Sequence, residues 1–124
     1  MHPRFNLPNK PAGLPFSDAV LVGNTLYIAG RIGVIPGTLT VPEDSRDEAR
    51  NMLDAVRDVL AQAGMTMDDL VYVQIFTPDV SLFETFNAIY VDYFKQALPA
   101  RAFLGSGPLL FGARFEMIAV AARS

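Results

Sequence analysis

Two charged residues, Arg101 and Glu116, interrupt apolar runs near the C-terminal end of the chain. Arg101 stands in "LPARAFLGSG", and Glu116 stands fifteen residues later in "RFEMIAVA". A charge on an apolar strand face must be paired, bound to a ligand or placed at an edge, because burying it alone is costly. An arginine grips a carboxylate through two parallel hydrogen bonds, and a glutamate orients a water or takes its proton. An Arg–Glu ion pair, within one chain or across an interface, accounts for both residues without any chemistry. Strand alternation groups Arg101 with Phe103, Gly105 and Gly107, and Glu116 with Ile118, Val120 and Ala122. If 101–107 and 114–122 form a simple hairpin, Gly105 falls near Glu116 and Arg101 lies about 13 Å further along the strand. A direct bridge is then hard to make. The alternative is that the two charges line a cleft, with help from a neighbouring subunit.

Other chemistry is scarce. The one histidine is His2 and there is no cysteine, so catalytic triads, thiol nucleophiles and histidine- or cysteine-based metal sites are excluded. No GxxxxGK followed by Ser or Thr occurs, and no GxGxxG, so nucleotide phosphates lack their usual cradle. Catalysis must rest on Arg, Lys, Asp, Glu, Tyr, backbone groups and water, and neither a metal nor a cofactor is expected. Net charge is −3 with ten Lys and Arg scattered along the chain, and the isoelectric point is about 4.9. Nucleic-acid binders usually carry a basic patch, so no nucleic-acid partner is expected. No apolar run has the length of a membrane span, and "MHPRFNLPNKP" lacks the apolar stretch of a signal peptide. A soluble, cytoplasmic protein is the expectation.

The elements that must position these residues follow from periodicity. At 124 residues the chain is expected to form a single domain over 1–124. Residues 8–15 hold three prolines and a glycine and form an irregular opening segment. Strands are predicted at 18–22 and 25–32, joined by a Gly23-Asn24 hairpin turn. A helix follows, with Ala49, Met52, Leu53, Val56, Val59, Leu60 and Ala63 as its apolar stripe. Ser45 with Glu48 resembles a capping box, and Gly64 closes the far end. Its polar face, Arg46, Asp47, Arg50, Asp54, Arg57 and Asp58, is read as solvated. A strand over 70–77 ends at Pro78. A second helix, 81–96, opens on a Ser81–Glu84 capping box, and its Phe83, Phe86, Ile89, Tyr90 and Phe94 are assigned to core packing. Strands over 101–107 and 114–122 end the chain. The order β-β-α-β-α-β-β, with two single-stripe helices, suits helices on one face of a sheet. With 51% hydrophobic residues, a homo-oligomer is the natural cover for the other face.

"PARAFLGSGPLLFGARFEMIAV" resembles the C-terminal signature of the YjgF/RidA family: PAR followed by Ser or Thr, an apolar stretch, a Gly-containing turn, and a Glu inside an apolar strand. The fifteen-residue spacing from Arg101 to Glu116 matches. "LPFSDAV" is similar to the family's PYSQAV, "NTLYIAGRIG" to NTLYVSGQI, and "FNAIYVDYF" to its VNEVYxxYF pattern. Together these segments run from about residue 12 to 122. The resemblance implies a chorismate-mutase-like α+β fold, a six-stranded mixed sheet with two helices on one face. It also implies a homotrimer with a central barrel and intersubunit clefts. The implied activity is hydrolytic deamination of reactive enamines and imines, small carboxylated substrates, to 2-oxo acids and ammonia, without a cofactor.

Carried over by position, Arg101 would hold the substrate carboxylate and Glu116 would orient or activate the water. Backbone N–H groups near Gly30 and Phe103 would assist, and Asn87 matches a polar residue near the cleft. The family's tyrosine is Phe16 in this chain, its serine is Ala29, its glutamine is Arg31, and Ala102 follows the arginine. Leu110 stands where the family has a proline, and Pro108 comes earlier. Two hydroxyls are lost and an arginine is gained, so the substrate is more open than the fold. A larger dicarboxylic enamine of aminomuconate type, with Arg31 binding the second carboxylate, is one alternative, although an arginine that simply solvates the strand end accounts for Arg31 as well. A non-catalytic trimer that binds carboxylated metabolites or acts as a chaperone-like partner is another. Endoribonuclease activity, carried in the family's older name, fits the acidic composition least.

Overall fold

In the computed structural model, which covers residues 1–124, local sequence signals build most of the elements where periodicity puts them. Strand β2 (Ala19–Val22) turns into β3 (Thr25–Ile32) through Gly23-Asn24. Gly23 takes φ 59°, a left-handed conformation that costs glycine nothing. Helix α1 (Ser45–Gln62) buries the whole predicted stripe. It ends in a Schellman closure: Gly64, at φ 72°, donates its N–H to the Ala61 carbonyl and Met65 donates to that of Leu60. Strand β4 (Leu70–Thr77) coincides with its predicted span. Strand β5 (Ala100–Gly105) and strand β6 (Glu116–Ala122) are shorter than their sequence patterns. A sixth strand, β1 (Arg4–Phe5), lies in a segment to which periodicity assigned nothing and pairs with β2.

Neither predicted capping box forms. Asp44, not Ser45, caps α1, its carboxylate accepting the Arg46 N–H at 2.8 Å. Glu48 is thereby free to turn into the protein, where backbone donors await it. At the second helix Asp79 accepts from both the N–H and the Oγ of Ser81, and a 3₁₀ turn over Val80–Leu82 precedes helix α2 (Phe83–Tyr90). The helix stops well short of residue 96. A further 3₁₀ turn covers Val91–Tyr93, and the Asp68 carboxylate takes the N–H groups of Lys95 and Gln96.

The sheet order is β1-β2-β3-β6-β4-β5. The simple hairpin between the last two strands is therefore not present. Strand β5 lies parallel to β4, and β6 runs antiparallel between β3 and β4. The cause is the β4-α2-β5 crossover, which returns the chain parallel beside β4 and leaves the central slot to β6. Both helices pack on one face, over Leu26, Ile28, Val73, Ile75, Phe115 and Met117, which are buried with Met52, Leu53, Val56 and Phe86. The opposite face is open and apolar: Tyr27 is 53% exposed, Tyr72 39%, Ile118 38% and Leu104 38%. No helix is long and apolar enough to cross a membrane.

Candidate active site

Arg101 is level with Val73 of β4, and Phe103 with Ile75. Val73 and Ile75 are fully buried beneath the helices, so Arg101 and Phe103 point to the helix face. There the guanidinium meets only aromatic rings. Its carbon is 4.8 Å from the Tyr90 ring centre, 5.6 Å from that of Phe103 and 5.7 Å from that of Phe83. Phe83 meets Phe103 edge-on, with centroids 5.1 Å apart, and Phe86 backs Phe103 from the core. Arg101 makes no ion pair and no hydrogen bond to the protein. Such a cage favours a cation over the ring faces and leaves its planar N–H fork free for an anion.

Two polar atoms lie nearby on α2. The Asn87 Oδ1 and the Tyr90 hydroxyl are buried with no partner in the protein. They are three residues apart, on the side of α2 that also carries Phe83. Burial pushes the Tyr90 phenol up to about 12, against the opposing pull of Arg101.

Glu116 opens β6, level with Ile32 on one side and Phe76 on the other. It is one residue out of phase with buried Met117, so it points to the open face. Arg101 and Glu116 thus stand on opposite faces of one chain's sheet, and no intrachain ion pair joins them. The Glu116 carboxylate lies against Gly30, where an added Cβ would overlap Oε2 and sit 3.3 Å from the carboxyl carbon. The carboxylate keeps this position only while residue 30 lacks a Cβ.

Gly30 and Ala29 form a bulge. Between the Ile28↔Ala119 and Arg31↔Met117 pairs, two β3 residues oppose Ile118 alone. The bulge interrupts the backbone ladder and inverts the alternation after it. Arg31 consequently shares the helix side with buried Met117, where its guanidinium meets Asp18 at 3.2 Å. Asp18 is 3% exposed and also accepts the Leu7 N–H at 2.8 Å. Arg31 therefore ties β3 to the N-terminal segment and is not brought to Glu116. Phe16 lies on that N-terminal segment, 47% exposed, with the Lys10 ammonium 4.8 Å above its ring.

The structure thus gathers Arg101, Phe103 and the Asn87-bearing helix on one side. It gathers Glu116, Gly30 and Ala29 on the other. Tyr90 packs in the core as its stripe predicts, at 4% exposure, and its ring also faces Arg101, whereas Phe83, predicted for the core as well, is 44% exposed in the Arg101 cage. The aromatic spacing alone does not separate the two, because the arginine that Phe83 meets lies beyond the crossover.

The family model described as Endoribonuclease L-PSP matches residues 8–123. A 2-iminobutanoate/2-iminopropanoate deaminase of Homo sapiens is 38% identical over 108 residues, covering 86% of this chain and 79% of the relative. The YjgF gene product from E. coli superposes with a TM-score of 0.90 at 32% identity, covering 98% of this chain and 99% of that one. A Rid-family protein from Yersinia pestis gives 0.91 at 32% identity, covering 99% and 100%. With the family match running nearly end to end and the six-stranded sheet shared, the chain belongs to the YjgF/RidA family.

Proposed function

We propose that this protein hydrolyses small carboxylated imines and enamines to 2-oxo acids and ammonia in a cleft completed by a second copy of the chain. The observation that carries this reading is Arg101, a guanidinium held among three aromatic rings with no acidic partner. A carboxylate is the anion its planar fork fits best. The human relative's name supplies the substrate class. The opposite-face placement of Arg101 and Glu116 means one chain alone does not bring them together. The exposed Tyr27, Tyr72, Leu104 and Ile118 supply an apolar surface for association, and a homotrimer is the assembly we propose.

The chemistry suits these residues. An iminium carbon is already electrophilic, so no covalent nucleophile is needed. Arg101 holds the substrate carboxylate and fixes the C=N group. Water attacks the iminium carbon as Glu116 takes a proton from it, forming a carbinolamine. That proton passes to nitrogen, the C–N bond breaks with its electron pair leaving on ammonia, and the carbonyl forms as Glu116, again a carboxylate, takes the hydroxyl proton. An enamine first takes a proton at carbon to become the iminium. Arg31 is engaged by buried Asp18, so the dicarboxylic reading loses the free second cation it required.

The test is release of 2-oxo acid and ammonia from imines made in situ by an amino-acid oxidase. Wild type is expected to accelerate release and Arg101→Ala, still folded, to lose at least about a hundredfold in kcat/KM. A wild type with no effect on any small imine, or an unimpaired Arg101→Ala, would sink the reading. Light scattering tests the assembly, and a clean monomer would remove the shared cleft.

A further inference from the structure

Glu48 is fully buried, on the first turn of α1, and the proposed mechanism does not use it. Its Oε2 accepts the Arg114 N–H at 2.6 Å and the Phe115 N–H at 3.2 Å. Its Oε1 accepts from Arg114 Nε at 2.7 Å. Residues 114 and 115 precede the ladder, since β6 begins to pair with β3 and β4 only at Glu116. The strand therefore has no neighbour to hold its approach, and a side chain from α1 takes over those two N–H groups.

The same residue also grips the other flank. The Glu48 carbonyl lies so close to Gly33 that a Cβ there would overlap it. Gly33 directly follows β3, three residues beyond the Gly30 against which Glu116 rests. One turn of α1 thus touches the segment leaving β3 and the segment entering β6. Glu116 stands between them, paired through its backbone with Ile32 and Phe76, while its carboxylate has no hydrogen bond or ion pair to fix it.

We propose that Glu48 is a positioning residue for Glu116: by holding the Arg114 and Phe115 N–H groups it sets where the Glu116 carboxylate stands over Gly30. This rests on the reading of Glu116 as the group that manages the water. A purely structural Glu48 would lower stability without changing the local state of Glu116.

The experiment compares Glu48→Ala, Glu48→Gln and the core control Val59→Ala. It reads kcat and KM on oxidase-generated imines and the ¹³Cδ resonance of Glu116 in glutamate-labelled protein, assigned with Glu116→Gln. Glu48→Ala should lower kcat about tenfold with KM changed less than about twofold. Glu48→Gln keeps one oxygen for the two backbone N–H groups and should recover kcat to within about threefold of wild type. Val59→Ala should lose stability and keep kcat. The Glu116 resonance should move in Glu48→Ala and stay in Val59→Ala. If it does not move in Glu48→Ala, or moves equally in Val59→Ala, the proposal is overturned, whatever the activity. A wild type without imine hydrolysis, or a Glu116→Gln as fast as wild type, would defeat the catalytic reading instead, and the resonance would still decide the positioning. Should Glu48→Ala not fold, Glu48→Asp draws the oxygens back by one methylene and carries the same comparison.

Discussion

Arg101, near the start of β5, and Arg114, just before β6, sit thirteen residues apart, yet their surroundings differ completely. Every nitrogen of the Arg114 guanidinium has an acceptor. Its Nε meets buried Glu48 at 2.7 Å, and its two terminal nitrogens donate to the carbonyls of Glu43 and Pro42. Arg101 meets three aromatic rings and no acceptor. Both are partly buried. One therefore closes a structural knot, and the other holds its donors ready for something outside the chain. Residue type and local apolarity are the same; what differs is whether a distant carboxylate arrives.

This contrast breaks first at Arg114. Arg114→Ala leaves the Glu48 carboxylate buried with only backbone donors, and unfolding stability should drop by about 3 kcal/mol, measured by urea denaturation. A loss well under 1 kcal/mol would mean the knot is not needed. Arg101→Ala should behave oppositely. Its hundredfold kinetic loss, about 2.7 kcal/mol, should come with a thermal midpoint near that of wild type. If both variants lose stability and activity alike, the distinction between the two arginines fails.

Smaller effects sharpen the picture on the Glu116 side. Gly30→Ala places a methyl where the Glu116 carboxylate lies, so turnover should fall about tenfold as the carboxylate is displaced. Kinetics equal to wild type would show that Glu116 works from another position. Smallest is the alkaline behaviour of Tyr90. Its phenol is raised from 10.0 to about 12 in the fold. The unfolded chain then ionises first, so stability present below pH 10 is lost as pH rises towards 12. Tyr90→Phe should flatten that part of the pH–stability curve while leaving neutral stability within about 1 kcal/mol, since the hydroxyl has no protein partner to lose. An unchanged alkaline slope would assign the loss elsewhere, for instance to Tyr93, whose phenol is raised by burial and by its bond to Asp54.

Much of the fold was legible because its signals are local. The α1 stripe, the Gly23-Asn24 turn, the Gly64 closure and the β3 and β4 spans each depend on residues within a turn or two of one another. The misread features share a different cause. Glu48 satisfied the spacing of a capping box, and only the arrival of Arg114 and Phe115, more than sixty residues later, gave its carboxylate better partners. Arg31 looked free because its partner, Asp18, is brought to it by a bulge that inverts strand alternation. Phe83 fits the core stripe as well as buried Tyr90 does, and nothing local says that its neighbour across the crossover is an arginine.

Sequence by itself determined which residues carry charge in an apolar setting, where α1 and strands β2 to β6 lie, and the family to which the C-terminal signature points. The tertiary structure alone decided that β6 enters between β3 and β4, that Arg101 and Glu116 face opposite sides, and that Arg31 and Arg114 meet buried acids while Arg101 meets none. The physical reason is reach. Periodicity reports which way a side chain points relative to its own element, whereas a charge is satisfied by whatever strand order and register carry to it from elsewhere in the chain.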